Sequence, residues 1–280
     1  MNPNTGDTLT SEDLIPIRDL VGKETGIFFE EKRFYFLEKR VLRRMQATNS
    51  QSAKEYFRLL SLGRQNEEML HLINVLTTNE TYFYRNLPQL ESFVEEILPL
   101  VVAEKDKTRD RKIRIWSAAC SSGDEAYSLG ILLKENLRNF SNWDIQILAT
   151  DIDTEILEKA RLALYDQRAV KDVPPHILKT HFQQVNDKYQ VVPQIRQMIS
   201  FEQVNLMDRQ SMRRQRDFDF IFCRNVLIYF DEESRKRVVN SLYDSMKPGG
   251  FIFLGHSESV GKISAVFKLI KFKKSLSYQK

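Results

Sequence analysis

Cysteine is nearly absent: the 280 residues hold two, Cys120 and Cys223. Two thiols, both placed near strand ends, exclude a disulfide framework and fit a reducing cytosol. The polar opening "MNPNTGDTLT" lacks a signal-peptide pattern. No apolar run approaches the ~18 residues that a bilayer span needs. A cytoplasmic protein without membrane insertion is expected. Histidine is scarce too. His71, His176, His181 and His256 are scattered without an acid partner or metal-ligand spacing. Neither a histidine-based acid–base pair nor a metal centre is therefore expected, and repeats and low-complexity tracts are missing.

What is present is a core. Hydrophobic residues make up 42%, enough to exclude a disordered chain. The length suits one large or two modest domains. Net charge is +4 and the pI about 8.9. That mild basicity permits a nucleic-acid partner without demanding one, because clustering matters more than the total.

The first eighty-odd residues have only helical patterns. Ser11, Glu12 and Asp13 open one helix and Gly26 stops it. A second spans about Glu30 to Ala47. A third runs from near Ser52 to Gly63, and a fourth from about Asn66 to Leu76. A further helix, "PQLESFVEEILPLVV", precedes the charged run "AEKDKTRDRK", which has the composition of a solvated loop. From Ile113 strands and helices alternate. "IRIWSAA", "IQILATD", "ISFEQVNL", "FDFIFCRN" and "GGFIFLGHS" are apolar strand patterns, and "EILEKARLALY" and "EESRKRVVNSLYDSM" have helical spacing. Such alternation predicts an α/β fold with a parallel sheet covered on both faces. Between Tyr165 and Ser200 it breaks; Pro174, Pro175, "KYQVV" and Pro193 suggest an inserted short helix and strand pair. "FKLIKFKKSLSYQK" predicts one or two short terminal strands.

The most informative stretch is "RIWSAACSSGDEAYSLGILL": buried strand, tight turn, helix. The layout is that of a nucleotide-binding unit, yet the turn has one glycine, Gly123, followed by acids. A pyrophosphate loop needs several glycines and no nearby carboxylates. In a doubly wound sheet, ligands sit beyond the carboxyl ends of the strands. There stand Asp124 and Glu125, Asp151, Asn205 with Leu206, Arg224 with Asn225, and Gly255 with His256. A carboxylate at Asp151 can take two ribose hydroxyls. A ligand with an adenosine and a cation but no phosphate suits these acids, and S-adenosylmethionine is such a ligand. Each residue also has a plain structural alternative. Ser122 and Glu125 have capping-box spacing, Asp151 and Asp153 can cap the next helix, and Asn205 can be an ordinary turn residue.

"TTNETYFYR", "WSAACSSGDEAYS", "ATDIDTEILEKAR", "VNL", "FCRNVLIYFD" and "KPGGFIFLGHSES" together resemble the CheR-type chemoreceptor glutamate methyltransferases, in order from about Thr77 to Ser259. The resemblance implies a small all-helical N-terminal domain and linker, residues 1–86. It implies next a Rossmann-like S-adenosylmethionine-dependent methyltransferase domain, residues 87–280, with a small antiparallel β-subdomain inserted at about 166–198. It implies S-adenosylmethionine as cofactor and S-adenosylhomocysteine as product. By motif match the cofactor ligands are Asn79, Thr81, Arg85, Glu125, Asp151, Asn205, Leu206, Arg224 and Asn225. Arg85 and Tyr229 match residues tied to catalysis. The implied substrate is the cytoplasmic methylation region of chemoreceptors, an acidic helical bundle, approached by a monomer. In some relatives the inserted strand pair carries a longer, glycine-containing loop that grips a peptide at the receptor's C-terminus. Here "QQVNDKYQVV" is short and lacks glycine, so no tether is expected.

The second helix, "EKRFYFLEKRVLRRM", sets Lys32, Arg33, Arg40, Arg43 and Arg44 on a basic face suited to an acidic partner. Its alternative is a solvated amphipathic helix. The cluster Arg209, Arg213, Arg214 and Arg216 has the composition of a solvated loop. A nucleic-acid methyltransferase would also use a basic helix, but it needs a base-reading motif where this chain has "CRNVLIYF". A nicotinamide oxidoreductase lacks its glycine fingerprint here. A catalytically silent binding module is disfavoured because every matched cofactor position is filled.

Overall fold

The computed structural model describes residues 8–62, 67–259 and 266–280. The chain divides into two compact units: Met1–Thr78 with Tyr229–Ser234, and Asn79–Ile228 with Arg235–Lys280. The linker residues after Thr78 thus belong to the second unit. The reason is Phe83, fully buried, edge-on to Tyr165 and Phe182, with its N–H donated to the Ala169 carbonyl.

The first unit holds α1 (Ser11–Thr25), α2 (Phe34–Thr48), α3 (Ala53–Leu60) and α4 (Glu67–Leu76). Thr10, rather than Ser11, caps α1, in a capping box with Asp13. Gly26 ends it in the left-handed conformation, at φ 76°. Ser52 caps α3; the expected stop at Gly63 and start at Asn66 lie outside the described residues. Leu14, Ile17, Val21, Leu37, Val41 and Tyr56 form the interior.

The second unit begins with α5 (Leu87–Ser92) and α6 (Leu98–Thr108), joined by a π-helical turn at Phe93–Ile97. Then come β1 (Lys112–Ala118), α7 (Asp124–Asn136), β2 (Asp144–Asp151), α8 (Thr154–Leu162) and β3 (Leu164–Tyr165). The insertion continues with α9 (Pro175–His181), β4 (Phe182–Val185), β5 (Lys188–Val191) and α10 (Pro193–Arg196). The main layer resumes with β6 (Ile199–Gln203), α11 (Arg209–Arg214), β7 (Phe218–Cys223), α12 (Glu232–Ser245), β8 (Met246–Leu254), β9 (Lys268–Lys271) and β10 (Leu276–Gln279). The seven-stranded sheet has the order β6-β2-β1-β7-β8-β10-β9, parallel except at β10 and β9. The insertion is a three-stranded antiparallel sheet, β3-β5-β4, where a strand pair was expected. Its hairpin turns on Asn186 and Asp187 alone, with Asn186 left-handed at φ 55°.

Phe222 and Phe253 stack at 4.3 Å, with Phe93 edge-on to Phe220, Phe222 and Phe253, at the centre of the core. Each such ring pair contributes roughly 0.5–1.5 kcal/mol beyond its buried area.

Two loop expectations are corrected. The run around Arg209 includes a short helix, α11, capped by Asp208. The run "AEKDKTRDRK" is mostly helix, because α6 continues through it to Thr108. Its Lys105 is buried, with Nζ 2.8 Å from both Asp110 and Asp219. Burial pulls the ammonium pKa down, but hydrogen bonds to the two carboxylates outweigh it and the net shift is upward. Removing Lys105 leaves Asp219, itself buried, with Lys247 3.6 Å away as its remaining cation. Lys105→Met should therefore cost about 3 kcal/mol in denaturant unfolding, the range for breaking a buried pair. Unchanged stability would show the pair to be dispensable.

Candidate active site

The carboxyl ends of β1, β2, β6, β7 and β8 lie along one edge of the parallel layer. After β1 the chain turns sharply, with Ala119 at φ 62°, Ser121 at φ 50° and Gly123 at φ 87°. A Cβ on Gly123 would meet Ala160 Cβ at 3.1 Å and Phe201 at 3.2 Å, so close packing and backbone angle both call for glycine there.

The capping box expected from Ser122 and Glu125 does not form. Ser122 Oγ donates to Asp124 Oδ2 at 2.6 Å, and no side chain caps α7. Glu125 instead accepts from Ser117 Oγ at 2.6 Å and from Arg224 Nη1 at 3.1 Å. Arg224, buried, also donates from Nη2 to the Arg85 carbonyl at 2.5 Å, while its Nε has no partner among the described residues. Glu125, Arg224 and the backbone at Arg85 therefore form one chain of contacts.

Asp153, and not Asp151, takes the capping role considered for the pair. Asp153 caps α8 through the Ile156 N–H and accepts from Asn79 Nδ2 at 2.8 Å. Asp151 accepts the Ser121 N–H at 2.8 Å and the Asp153 N–H at 3.0 Å, one on each oxygen. Desolvation raises Asp151 to about 6, against the pull of these N–H groups. Burial likewise lifts Asp124 to about 6, and its Oδ1 has no partner among the described residues. A phosphate would face repulsion at this turn.

Asn205 is a turn residue, its Oδ1 accepting the Met207 N–H at 2.9 Å, and Leu206 is buried beside it. Asn225 is left-handed at φ 60°. Arg85 is half-buried, with Nη1 on the Glu80 carbonyl at 2.8 Å and its guanidinium 5.8 Å from the Tyr82 ring. Asn79 and Thr81, with Tyr82, Ser122, Asp124 and Lys171, border a cleft of about 710 Å³. Tyr229 belongs to the segment counted with the helical unit; its carbonyl accepts the Phe28 N–H at 2.8 Å, and Phe230 bridges Ile27. Ser117, Ser121 and Glu258 also hold this edge together, and the sequence reading assigned none of them a role. Ser117 Oγ donates to the Glu125 carboxylate, the Ser121 N–H to Asp151, and Glu258 accepts backbone N–H groups, contacts that leave no spacing signal.

The basic face of α2 is smaller than expected. Arg44 makes a bidentate pair with buried Glu68, at 2.9 and 2.5 Å, and Tyr56 donates to the same carboxylate. Arg40 donates Nε to the Val75 carbonyl at 2.7 Å and lies over the Phe36 ring, and burial lowers its pKa. Arg33 is half-buried against Phe36. Lys32 is exposed but precedes α2 and pairs with Glu30, so on α2 Lys39 and Arg43 remain exposed, together with Tyr35 at 72% exposure.

Among the described residues, no three His, Cys, Asp or Glu side chains stand close enough to hold a metal ion, and no helix is long and apolar enough to cross a membrane. Cys120 and Cys223 are buried and free, and burial pushes both thiols well up from their usual pKa.

Comparison with known proteins gives consistent matches. Residues 79–276 match the family model for the CheR methyltransferase, SAM binding domain, and residues 12–77 that for the CheR methyltransferase, all-alpha domain. Chemotaxis protein methyltransferase 2 of Vibrio cholerae is 44% identical over 97% of this chain and 94% of that protein. The chemotaxis protein methyltransferases of Borreliella burgdorferi and Escherichia coli are 32% and 31% identical, over 92% and 90% of this chain and 91% and 86% of theirs. An acid-rich, single-glycine turn followed by a capped acidic strand end is thus set in a chain matched across both parts: it belongs to the CheR methyltransferase family and carries that family's S-adenosylmethionine-binding domain.

Proposed function

We propose that this protein transfers a methyl group from S-adenosylmethionine to glutamate side chains in the cytoplasmic methylation region of chemoreceptors, giving glutamyl methyl esters. It acts in this reading as a cytoplasmic monomer, with no nucleic acid and no receptor-tail tether. The observation that carries the reading is the phosphate-excluding acidic edge formed by Asp124, Glu125 and Asp151 with Arg224. The cofactor fits this donor set. Its ribose hydroxyls and ammonium donate, and a carboxylate has about four acceptor positions, of which the Ser121, Asp153 and Ile152 N–H groups draw on only part at Asp151. The partnerless Nε of Arg224 is a donor at the same edge.

The cofactor supplies an activated methyl group on a sulfonium. A receptor glutamate, with an ordinary pKa of about 4.3, is already ionised at neutral pH and attacks without a general base. The chain's residues therefore bind, align and exclude water, and alignment of bound reactants contributes roughly 7–11 kcal/mol. In this assignment Asn79, Thr81, Asn205, Leu206 and Asn225 surround the cofactor. Arg85 orients a carboxylate by paired hydrogen bonds, and Tyr229 hydrogen-bonds near the methyl acceptor. The exposed cations of α2, with Tyr35, meet the acidic receptor helices.

The decisive experiment is transfer of labelled methyl to a panel of membrane receptors, with release of the label by mild alkali as the mark of an ester. Alkali-stable label, or label on nucleic acid, would overturn the proposal. In the same assay Lys39→Glu with Arg43→Glu should weaken receptor methylation at low salt and leave cofactor affinity intact. Arg44→Glu should instead destabilise the fold by about 3 kcal/mol, since it breaks a buried pair. Full methylation by the Lys39/Arg43 variant would remove the basic face from recognition.

Asp151 makes the cofactor affinity pH-dependent. Hydroxyl donors favour the ionised carboxylate, so affinity for S-adenosylhomocysteine should fall as pH drops through about 6. Between pH 7 and pH 5 the ionised fraction falls by roughly tenfold. Stability moves the other way. A carboxyl raised in the folded state destabilises above about pH 6, and that penalty is relieved as pH falls towards its unfolded value. Calorimetry at both pH values, with NAD as the non-binding control, tests this. Asp151→Ala should abolish the pH dependence along with most of the affinity, whereas a flat profile in the parent would return Asp151 to a purely structural role.

The two-residue turn at Asn186 and Asp187 leaves little reach for clasping an extended peptide. A receptor lacking its C-terminal tail should be methylated as fast as the full receptor. Tight binding of the tail peptide, together with loss of methylation on truncation, would reverse this.

A further inference from the structure

Glu258 follows β8 and is the fourth residue of "GHSE". Its Oε2 accepts the Gly255 N–H at 2.6 Å and the Asn225 N–H at 2.8 Å, and its Oε1 accepts the Ile228 N–H at 3.2 Å. One carboxylate thus ties the loop after β7 to the loop after β8. Asn225 needs such a hold. It is left-handed at φ 60°, a conformation that a residue with a side chain leaves unless its surroundings fix it. Its neighbour Arg224 reaches Glu125 and the Arg85 carbonyl.

The space around Gly255 agrees. A Cβ there would lie 2.6 Å from Glu258 Oε2, 2.8 Å from Asn225 N and 3.0 Å from Asn225 Nδ2. Gly255 does not have a positive φ, so glycine serves close approach here rather than an unusual backbone angle. Carboxylate, glycine and left-handed asparagine form one interlocked unit.

We infer that Glu258 is a positioning residue for the methyltransferase site, fixing Asn225 in its left-handed turn through backbone hydrogen bonds without itself touching the cofactor. The inference rests on the assignment of Asn225 to the cofactor site. It does not need the receptor to be the substrate, so it is read by cofactor affinity rather than methylation.

The test uses the full chain with Glu258→Gln, which keeps size and one acceptor oxygen but sets an NH2 against donors. Affinity for S-adenosylhomocysteine is measured by calorimetry, the melting temperature by heat scan, and the Asn225 and Gly255 amide resonances by NMR. Hydrogen bonds to charged groups are the stronger kind, so the expected affinity loss is roughly tenfold or more. Both amide protons should move upfield while melting stays close to that of the parent. Parent-like affinity with shifted amides would show that the turn does not serve the cofactor. Affinity lost only in step with melting would make Glu258 a stability residue, and either result overturns the inference. Should Glu258→Gln fail to fold, Glu258→Asp, which keeps the charge and shortens the reach, is read by the same criteria. Failure of receptor methylation by the parent would sink the proposed function and leave this result untouched.

Discussion

A carboxylate that accepts a backbone N–H from a left-handed residue is the contact on which the site edge depends. Asp151 holds Ser121, at φ 50°, and Glu258 holds Asn225, at φ 60°. Ser121 is under backbone strain there, and Asn225, of the residue type with a side chain that best tolerates this region, is held to that one conformation. A charged acceptor suits this task, because charge-assisted hydrogen bonds are roughly twice as strong as neutral ones. At the opposite end of the strands Asp219 does similar work, accepting the Arg114 N–H while Lys105 holds its charge. Carboxylates therefore fasten loops at the site edge and join β1 to β7 at the far end of the sheet.

The same device commits the acids of the site edge to fixed partners. In the proposed reaction the nucleophile comes ionised from the substrate and the leaving group from the cofactor. What the protein must supply is a fixed arrangement that does not reorganise during the reaction. Asp151 and Glu125 are both held by the chain's own groups, the first by backbone N–H groups, the second by Ser117 and Arg224. Pre-organisation of this kind lowers the cost of ordering the site on binding.

Much of this was legible in the sequence because it follows from periodicity and from chain punctuation. Alternating apolar strands fixed the parallel layer, Gly26 and Ser52 marked helix ends, and the acids after Gly123 argued against a phosphate. The lost parts share a cause. The run "AEKDKTRDRK" has a solvated composition, but Lys105 finds Asp110 and Asp219, and Asp219 lies in a different strand far along the chain. The basic face of α2 was read from spacing alone, and spacing does not reveal that Glu68 lies opposite Arg44. Ser122 and Glu125 have the spacing of a capping box, yet Ser117 and Arg224 compete for the glutamate and win. In each case a long-range polar partner overrode a correct local rule.

That pattern separates recognition from chemistry. A cation available to an acidic partner must be one that the fold has not already used. Spacing places five cations on the second helix, but Lys32 and Arg33 fall in a short turn before α2, Lys32 paired with Glu30 and Arg33 against Phe36, while Arg44 is consumed by Glu68 and Arg40 by a carbonyl and a ring. Of the five, Arg43 remains, with Lys39, outside that set, and exposed Tyr35 on the same helix, fewer charges with an aromatic among them. Exposed charges act over about a Debye length and are screened by salt, whereas an aromatic contributes contact area that salt does not screen. If this face meets the receptor as proposed, recognition combines a salt-sensitive encounter with a salt-insensitive contact. The two components can be removed separately, at the lysine and arginine or at the tyrosine, without disturbing the carboxylate clamps that shape the methyl-transfer edge.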